Sequence, residues 1–305
     1  MTSATHRVLQ GIELVTHCVP SLASVLPAYR DCLGYKLVEQ GRVDAALCAA
    51  WATPAMLGMP YLLLQPASGA DVYLRFIETG RAGGYWPPVT QGWIATEVLA
   101  EDPDLLKRQL EQSVFTLIGG PADLYPGPKS ARAMQMQGPA GELMYFTRIL
   151  PGGSRFGLHG AKSFVDRPFI MVVGSDSMDS LHEFYGNTLG LRVDVTAPFK
   201  IRQMSRVLKV DSETAYPVSI ARIPGRSFLL ELEELPTSVA ARTCPPGELP
   251  EGLAMVSFSA PDLDAVSLDY RADPVTLQQH PYAGRRVAVV EGPAGEWLEL
   301  IEAAG

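Results

Sequence analysis

The stretch Gly292-Pro293-Ala294-Gly295-Glu296-Trp297-Leu298-Glu299-Leu300 decides the fold of this chain. Its proline fixes φ for a turn and its second glycine can adopt a positive φ, so the sequence predicts a tight turn that leads into a terminal strand. From Trp297 onward, alternate side chains are expected on opposite faces of that strand. The same pentapeptide, Gly-Pro-Ala-Gly-Glu, stands at residues 138–142, about half a chain length earlier. A match of this length at this spacing indicates an internal duplication.

A second phrase is repeated as well: Tyr29 with Leu33-Gly34 recurs as Tyr185 with Leu189-Gly190. In both places it closes a predicted helix, because glycine tolerates the left-handed conformation at a helix C-terminus. A strand precedes each helix and further strands follow, so four βαβββ units are predicted. The prediction is an α+β fold with two domains of two units each. Their bounds are 1–150 and 168–305, with a linker at 151–167.

The two units of each predicted domain are expected to curve together into a half-open cup, with side chains alternating between its inner and outer faces. Apolar residues at 45–51 and 203–210 predict further strands, and residues 262–270 predict a helix. Residues 119–129 are rich in Gly and Pro and predict a loop. Pro27 lies early in the first helix and predicts a late start or a kink.

The composition is ordinary for a globular protein, with 305 residues, 47% of them hydrophobic and 19% charged. A net charge of −8 argues against a nucleic acid or an anionic membrane as the main partner. Four cysteines without CxxC spacing indicate reduced thiols. The N-terminus lacks the apolar run of a signal peptide, and no segment is long enough to span a bilayer. We expect a cytoplasmic protein whose partner is a small molecule; a homodimer is left open.

The Tyr-x-x-x-Leu-Gly helix end and the Gly-Pro-x-Gly-x-x-x-Glu-Leu strand resemble the vicinal oxygen chelate superfamily. The matching residues are 185–190 and 292–300, with 29–34 and 138–146 as the first copy. That superfamily includes glyoxalase I, extradiol ring-cleaving dioxygenases, and fosfomycin and bleomycin resistance proteins. The resemblance covers nearly the whole chain and implies a tandem version of this fold. It says little about the reaction, because one fold hosts many activities.

Members of the superfamily usually bind a divalent metal in the cup, through His, Gln or Glu on the first and last strands of each unit. Such ligands suit the metal because they offer unhindered lone pairs. In this sequence the resemblance puts those positions at Leu14, Arg75, Ala95, Tyr145, Phe169, Glu231, Met255 and Glu299. Only the two glutamates among them could bind a metal. We therefore expect a metal-independent protein without a cofactor.

The first predicted cup combines Arg75, Glu97 and Tyr145 as catalytic candidates. Arg75 can hold a carboxylate or enolate oxygen through paired hydrogen bonds, and aromatic side chains offer flat surfaces for a ring. The ligand-binding candidates around them are Thr16, Tyr73, Trp93 and Arg132. This cup is favoured as the working site because it joins a fixed positive charge to aromatic walls. The alternative is an Arg75–Glu97 salt bridge inside a filled barrel.

The second predicted cup holds Glu231 and Glu299 as catalytic candidates. If both face inward, desolvation and mutual repulsion raise their pKa values, and such a carboxylate can act as a general base. The alternatives are solvation at the rim or pairing with Arg285 or Arg286. The expected ligand-binding neighbours are Phe169 and Met255.

Two further features concern the surroundings of the cups. His17 alternates with Thr16 and is predicted to point away from the cup as a structural histidine. The loops Tyr85–Pro88 and Tyr125–Pro128 either cover a cup mouth or form exposed connectors or an oligomer contact.

The leading hypothesis for function is an enzyme, a lyase or isomerase that acts by proton transfer on a small aromatic or carbonyl-bearing molecule. One alternative is a non-catalytic protein that binds a small molecule, as antibiotic resistance proteins do. The other is an extradiol dioxygenase-like protein whose degenerate metal site still binds iron. Metal content separates the last from the others, and turnover separates the first from the second.

Overall fold

The computed structural model describes residues 8–81, 90–225 and 227–303. Four successive units can be followed along these ranges. Each begins with a long strand and ends with a strand that pairs parallel to the first. This arrangement confirms the predicted α+β fold built from four related units.

The first unit comprises β1 (Gly11–Val19), α1 (Leu22–Pro27), β2 (Lys36–Arg42), α2 (Ala45–Trp51), β3 (Pro60–Gln65) and β4 (Tyr73–Glu78). The second comprises β5 (Gly92–Ala100), α3 (Pro103–Leu110), β6 (Thr116–Asp123), β7 (Arg132–Gln137) and β8 (Leu143–Arg148). The third comprises β9 (Val165–Ser175), α4 (Met178–Leu181), β10 (Arg192–Val193), β11 (Ala197–Phe199), α5 (Arg202–Leu208), β12 (Tyr216–Arg222) and β13 (Leu229–Glu234). The fourth comprises β14 (Gly252–Ala260), β15 (Val275–Leu277), β16 (Arg285–Glu291) and β17 (Trp297–Glu302).

The first helix of each half changes its geometry part-way. α1 starts on the Ser21 cap and becomes a π-helix over Ala28–Cys32, directly after Pro27. α4 continues in the same way as a π-helix over His182–Thr188, where the preceding residues include no proline. The wider turn is therefore a property of the duplicated unit, and Pro27 is compatible with it rather than its cause.

Three predicted elements differ from the structure. Residues 45–51 and 202–208 are helices. Asp44 caps α2 by accepting from the Leu47 N–H at 2.8 Å, and the alanines that follow favour helix over strand. α5 has no such cap, but its sequence, RQMSRVL, is rich in residues of good helix propensity. Residues 262–270 form turns instead of a helix, since the Asp262 side chain accepts from the Asp264 N–H at 2.9 Å. In addition, β6 runs through Gly119 to Asp123, where a loop was predicted.

The strand pairing contradicts the predicted pairing of units within each half. One sheet has the order β15-β16-β17-β14-β1-β4-β3-β2 and joins the first unit to the fourth. The other has the order β10-β12-β13-β9-β5-β8-β7-β6 and joins the second unit to the third. We call the concave side of the first sheet the flanking cup and that of the second sheet the central cup. Repeated sequence shows which strands are alike, whereas pairing depends on contacts distant in sequence.

The largest buried core lies on the sheet faces that point away from the cups, against the helices. Here the tyrosine of each repeated helix end is hydrogen-bonded to the glutamate of a Gly-Pro-Ala-Gly-Glu turn. The Tyr29 hydroxyl donates to Glu142 Oε1 at 2.7 Å, and the Tyr185 hydroxyl donates to Glu296 Oε1 at 2.8 Å. In each case the second carboxylate oxygen accepts an N–H of its own turn at 2.8 Å. Hydrogen bonds between repeats thus tie the two units of each half together, while the sheets tie the halves together.

Candidate active site

The parallel strand pairs define two pairs of neighbouring positions in each cup. In the flanking cup, Thr16 lies opposite Arg75 and Ser257 lies opposite Glu299. In the central cup, Val172 lies opposite Glu231 and Glu97 lies opposite Tyr145. The first-strand positions inferred from the resemblance were therefore two or three residues too early, at Leu14, Ala95, Phe169 and Met255. Register is fixed by the neighbouring strands, and bulges in β1 and β5 shift it further.

The flanking cup is closed by its own side chains. Trp51 from α2 donates its indole N–H to Glu299 Oε1 at 2.7 Å, and the Tyr282 hydroxyl donates to the same oxygen at 2.9 Å. The Ser257 hydroxyl donates to Glu299 Oε2. Arg75 Nη1 donates to the Tyr282 hydroxyl at 2.9 Å. All five side chains are fully buried, and the hydroxyl of Tyr282 joins the base to the acid, while Arg75 Nε has no hydrogen-bond partner among the described residues.

Aromatic rings complete the enclosure of Arg75. Its guanidinium carbon lies 5.3 Å from the ring centroids of Trp51 and Tyr282 and 5.7 Å from that of Tyr61. Met255 packs in the same cluster, and Tyr73 packs with Leu14 and with the ring of His280. The side chains predicted to bind a ligand here instead bind one another.

The central cup contains a cavity of about 530 Å³. Its floor carries Glu97 from β5 and Glu231 from β13, with Thr147 from β8 beside them. Apolar and aromatic side chains form most of the wall, namely Leu124, Tyr125, Ala131, Ile149, Phe156, Leu158, Phe169, Ile170, Val195, Phe199, Val218, Ile220 and Leu229. A volume of this size accommodates a small organic molecule.

Burial raises the pKa values of the two carboxyl groups on this floor and of a third, Glu233, that is hydrogen-bonded to Glu231. Burial and the nearby charge of Glu231 raise the pKa of Glu97 to about 8, while a hydrogen bond from the Thr147 hydroxyl opposes that rise. Burial and the charge of Glu231 also raise the pKa of Glu233 well above its usual range. Burial also raises the pKa of Glu231, and the hydrogen bond with Glu233 limits that rise. The group thus holds protons at neutral pH and distributes them unequally.

Such a floor can both give and take a proton. A carboxyl group whose pKa lies near 8 is mainly protonated at pH 7 and can donate, whereas a carboxylate that accepts a hydrogen bond from its neighbour can act as a base. No ion pair to Glu97 or Glu231 is formed within the described ranges. The predicted partners Arg285 and Arg286 instead bind Glu13 and Asp264.

Comparison with solved structures identifies this architecture. Glyoxalase I from Zea mays superposes with a TM-score of 0.61 at 13% identity, covering 96% of this chain and 92% of that one. A candidate dioxygenase from Bacillus subtilis gives 0.64 at 13% identity, covering 98% and 87%. The chain has the vicinal oxygen chelate fold. No family model and no curated protein matches it in sequence, so these comparisons establish the fold and leave the reaction open.

The side chains do not fit the metal that is usual in the vicinal oxygen chelate fold. In the flanking cup Arg75 places a positive charge at the level of Glu299, whose oxygens already accept from three donors. In the central cup the corresponding positions supply two carboxyl groups, Glu97 and Glu231, and their strand neighbours are Tyr145 and Val172. Across the part of the chain that the structure describes, no group of three or more His, Cys, Asp or Glu residues could hold a metal ion. A catalytic site needs about three protein ligands.

Several predicted residues lie outside both cups. Trp93 packs against Phe258 in the main core and donates its indole N–H to the Trp297 carbonyl at 2.8 Å. Arg132 forms ion pairs with Asp104 and Asp123. Glu97 and Arg75 lie in different cups, so the predicted salt bridge between them is absent.

Other predicted residues do lie in or beside the cups. Phe169 lines the central cavity, whereas Tyr145 packs beside α5 at the other end of that cup. The prediction for His17 is confirmed, since its buried ring stacks on Phe76 at 5.2 Å and burial lowers its pKa to about 3. Tyr125 lies at the cavity mouth, and Tyr85–Pro88 lies outside the described residues.

Sequence reasoning missed Glu233, Thr147, Trp51 and Tyr282. The first two were detectable, because each lies two residues from a candidate on the same strand and so shares its face. Trp51 and Tyr282 were not detectable. Trp51 lies on a helix that the sequence predicted as a strand, and Tyr282 lies on a loop.

No helix of the described ranges is both long and apolar enough to cross a membrane.

Proposed function

We propose that this protein is an enzyme whose active site is the central cup. It binds a small, mainly apolar molecule that carries an aromatic ring or a carbonyl group, and it transfers protons on that molecule without a metal. The observation that carries the proposal is the pair Glu97 and Glu231 on the floor of an apolar cavity. Two buried acids with unequal proton affinity are costly to a fold, and this arrangement is common where acid–base chemistry is needed.

The proposed step is an enolisation. Glu97 donates its proton to the carbonyl oxygen while the carboxylate of Glu231 removes a proton from the adjacent carbon. The electrons of the broken C–H bond form the C=C bond of the enol, and those of the C=O π bond form the new O–H bond. Glu97 ends ionised and Glu231 ends protonated. In the second step Glu97 takes back the hydroxyl proton as the C=O bond re-forms and the C=C electrons move outward. Those electrons form a C–H bond at a different carbon with the proton of Glu231, which isomerises the molecule, or they form a new C=C bond as a group leaves the β-carbon with its bonding pair and takes the proton of Glu231, which gives a lyase.

Glu233 has a positioning role in this scheme. Its proton is retained because burial raises its pKa well above the usual range, and its hydrogen bond with Glu231 favours the ionised form of that base. The Thr147 hydroxyl donates to one oxygen of Glu97 and so fixes the orientation of that carboxyl group, whose other oxygen carries the proton. The acid and the base are thereby kept distinct.

Proton exchange tests the proposal directly. A panel of aryl ketones with acidic α-protons, 2-tetralone among them, is incubated with the protein in D2O, and loss of the α-proton signal is followed by NMR. We expect exchange on at least one ketone, reduced about 100-fold or more by Glu97→Gln or Glu231→Gln. Glu142→Gln, a buried glutamate far from the cavity wall, is the matched control and should retain the rate. Equal rates in all four proteins would refute catalysis at this floor.

A binding protein is the second candidate, favoured by the exposed apolar side chains at the mouth, among them Val195 and Phe199. The fluorescent probe N-phenyl-1-naphthylamine should bind the wild type, and Ala197→Trp at the cavity wall should weaken it. Val210→Trp, at an exposed position that does not line the cavity, is the control. Probe binding without proton exchange on any ketone would favour the binding protein over the enzyme.

A further inference from the structure

A second cavity of about 460 Å³ adjoins the central cavity. The two share one wall, formed by the segment Ser154–Leu158 and by Leu229. The outer side of this wall faces the end of the β12–β13 hairpin, at Arg222, Gly225 and Phe228. The outer cavity therefore adjoins the central cavity along Ser154, Phe156 and Leu229, which line both.

In the shared wall, the ring of Phe156 lies close to the guanidinium groups of two arginines, Arg155 and Arg222. The guanidinium carbon of Arg155 lies 4.6 Å from the Phe156 ring centroid, and that of Arg222 lies 5.0 Å from it. A planar guanidinium stacked on a ring keeps its N–H edges free to bind a planar anion. Both arginines line the outer cavity.

The charged side chains that line only one of the two cavities differ in sign, namely Arg222 in the outer cavity and Glu97, Glu231 and Asp194 in the central one, whereas Arg155 lines both. The described lining of the outer cavity contains two arginines and no carboxylate, in a chain whose net charge is −8. Arg222 binds Asp194 through Nε at 3.1 Å and Nη2 at 2.7 Å, so this pair leaves Nη1 unused. Asp194 itself faces the central cavity. Positive charge is thus concentrated on the outer side and carboxylates on the inner side.

We infer that the outer cavity is a subsite for an anionic group, and that the ligand is an amphipathic anion. Its apolar body occupies the central cavity above Glu97 and Glu231, and its carboxylate or phosphate reaches Arg155 and Arg222. This inference rests on the proposed function, because it names the ligand class of the same site. It also gives the ligand a fixed direction, with the anion held away from the carboxyl groups on the floor.

Matched acids and alcohols test the subsite. Phenylacetate, 4-phenylbutyrate and 6-phenylhexanoate are each compared with the alcohol of equal chain length in displacing N-phenyl-1-naphthylamine. For at least one spacer the acid should bind better than its alcohol, and added NaCl should reduce only the binding of the acid. Arg155→Met should weaken that acid about 3- to 5-fold and leave its alcohol unchanged, the size expected for one partly exposed charge contact. Arg30→Met removes an exposed arginine that lines neither cavity and should change the binding of neither the acid nor the alcohol.

The outcomes distinguish the two proposals. Alcohols that bind while no acid is preferred, or an acid preference that survives Arg155→Met, would overturn the anion subsite and leave the central cavity as the binding site. Failure of both series to displace the probe from a folded protein would overturn both. Arg222→Lys is a second test. It keeps the positive charge but loses the stacked guanidinium and its paired hydrogen bonds, so the acid should bind more weakly to this variant too.

Discussion

The flanking cup and the central cup share one architecture and differ in how their polar groups are satisfied. At corresponding levels the flanking cup has Arg75 and Glu299, whose charges have opposite sign and meet through Tyr282. The central cup has Glu231 and Glu97, whose charges have the same sign. A cup with complementary groups can close on itself as a core, whereas a cup with like charges needs protons or a ligand. The difference shows how a duplicated cup can become a structural core while the other keeps a cavity.

The same contrast is visible in a pair of corresponding loops, one after β15 in the flanking cup and one after β6 in the central cup. Tyr282 follows β15 and lies fully buried, whereas Tyr125 follows β6 in the corresponding connection and is 42% exposed. Each is followed two residues later by a glycine with positive φ, Gly284 or Gly127. In the flanking cup this tyrosine reaches the floor. In the central cup it stays at the mouth, where its hydroxyl donates to the Gly153 carbonyl at 2.5 Å.

The largest expected difference between the two cups is the effect of a Glu→Gln substitution on the free energy of unfolding. Glu299→Gln should lower the free energy of unfolding by about 3–5 kcal/mol, because it leaves the charge of Arg75 buried without its counter-charge. Glu97→Gln should raise it by on the order of 2 kcal/mol at pH 8, because it removes a carboxylate that the fold disfavours. Urea denaturation of both variants measures the two effects. Effects of the same sign would contradict the assignment of closed and open cups.

The pH dependence of stability sharpens the contrast further. The pKa of Glu142 and of Glu296 is about 7, raised mainly by burial, and that of Glu97 is about 8. A carboxyl group whose pKa is higher in the folded state stabilises the fold below its unfolded pKa and loses that contribution as pH rises through its folded pKa. The ionisation of Glu142 and that of Glu296 should therefore each lower the free energy of unfolding by about 3 kcal/mol between about pH 4.5 and 7.

The free energy of unfolding measured at pH 5.5 and at pH 8 tests this expectation. We expect the larger value at pH 5.5. His17 acts in the opposite direction, since its pKa of about 3 in the fold costs stability only as pH falls below about 6.5. Glu142→Gln and Glu296→Gln should each flatten the curve. A curve that rises from pH 5.5 to 8 would contradict the buried, protonated state of these carboxyl groups.

The hydrogen bonds between repeats predict where the two halves should behave alike. Tyr29→Phe and Tyr185→Phe each remove the hydroxyl donor of one buried glutamate, Glu142 or Glu296. Each should lower the free energy of unfolding by about 1–3 kcal/mol, the cost of an unsatisfied buried group. The two losses should agree closely, although the halves contribute to both cups. A silent variant in either half would show that the repeated phrase is not structural there.

The smallest effects are expected for the paired loop tyrosines. Tyr282→Phe removes the bridge between Arg75 and Glu299 and should cost about 1–2 kcal/mol of stability. Tyr125→Phe should stay within about 0.5 kcal/mol of the wild type, because its hydroxyl lies on an exposed loop. Thermal unfolding of the two variants is sufficient for this comparison. Equal losses would mean that the mouth loop is as firmly held as the buried one.

Much of the fold could be predicted from local sequence. Turn residues such as Pro293 and Gly295, helix ends such as Gly34, and strand alternation are local signals, and the duplication made each of them visible twice. The helices at 45–51 and 202–208 were misread because short apolar runs do not distinguish strand from helix, and the capping role of Asp44 outweighed the pattern.

The candidate site was predicted only residue by residue. Glu97, Glu231 and Phe169 were chosen from the sequence as residues on inner strand faces and all line the central cavity, but they were assigned to different cups. Their grouping depends on the pairing of β5 with β9, residues that are far apart in the chain. Arg75, favoured as the catalytic charge, is enclosed by Trp51 and Tyr282, neither of which local sequence places near it.

The sequence by itself determined the repeating unit, the alternation of each strand, the turns and the set of acidic and aromatic residues available to a cup. These follow from backbone preferences and side-chain spacing that act over a few residues. Only the tertiary structure decided that the first unit pairs with the fourth and the second with the third. That choice is made by burial and strand register across the whole chain, and it separates Arg75 from Glu97 and brings Glu97 to Glu231.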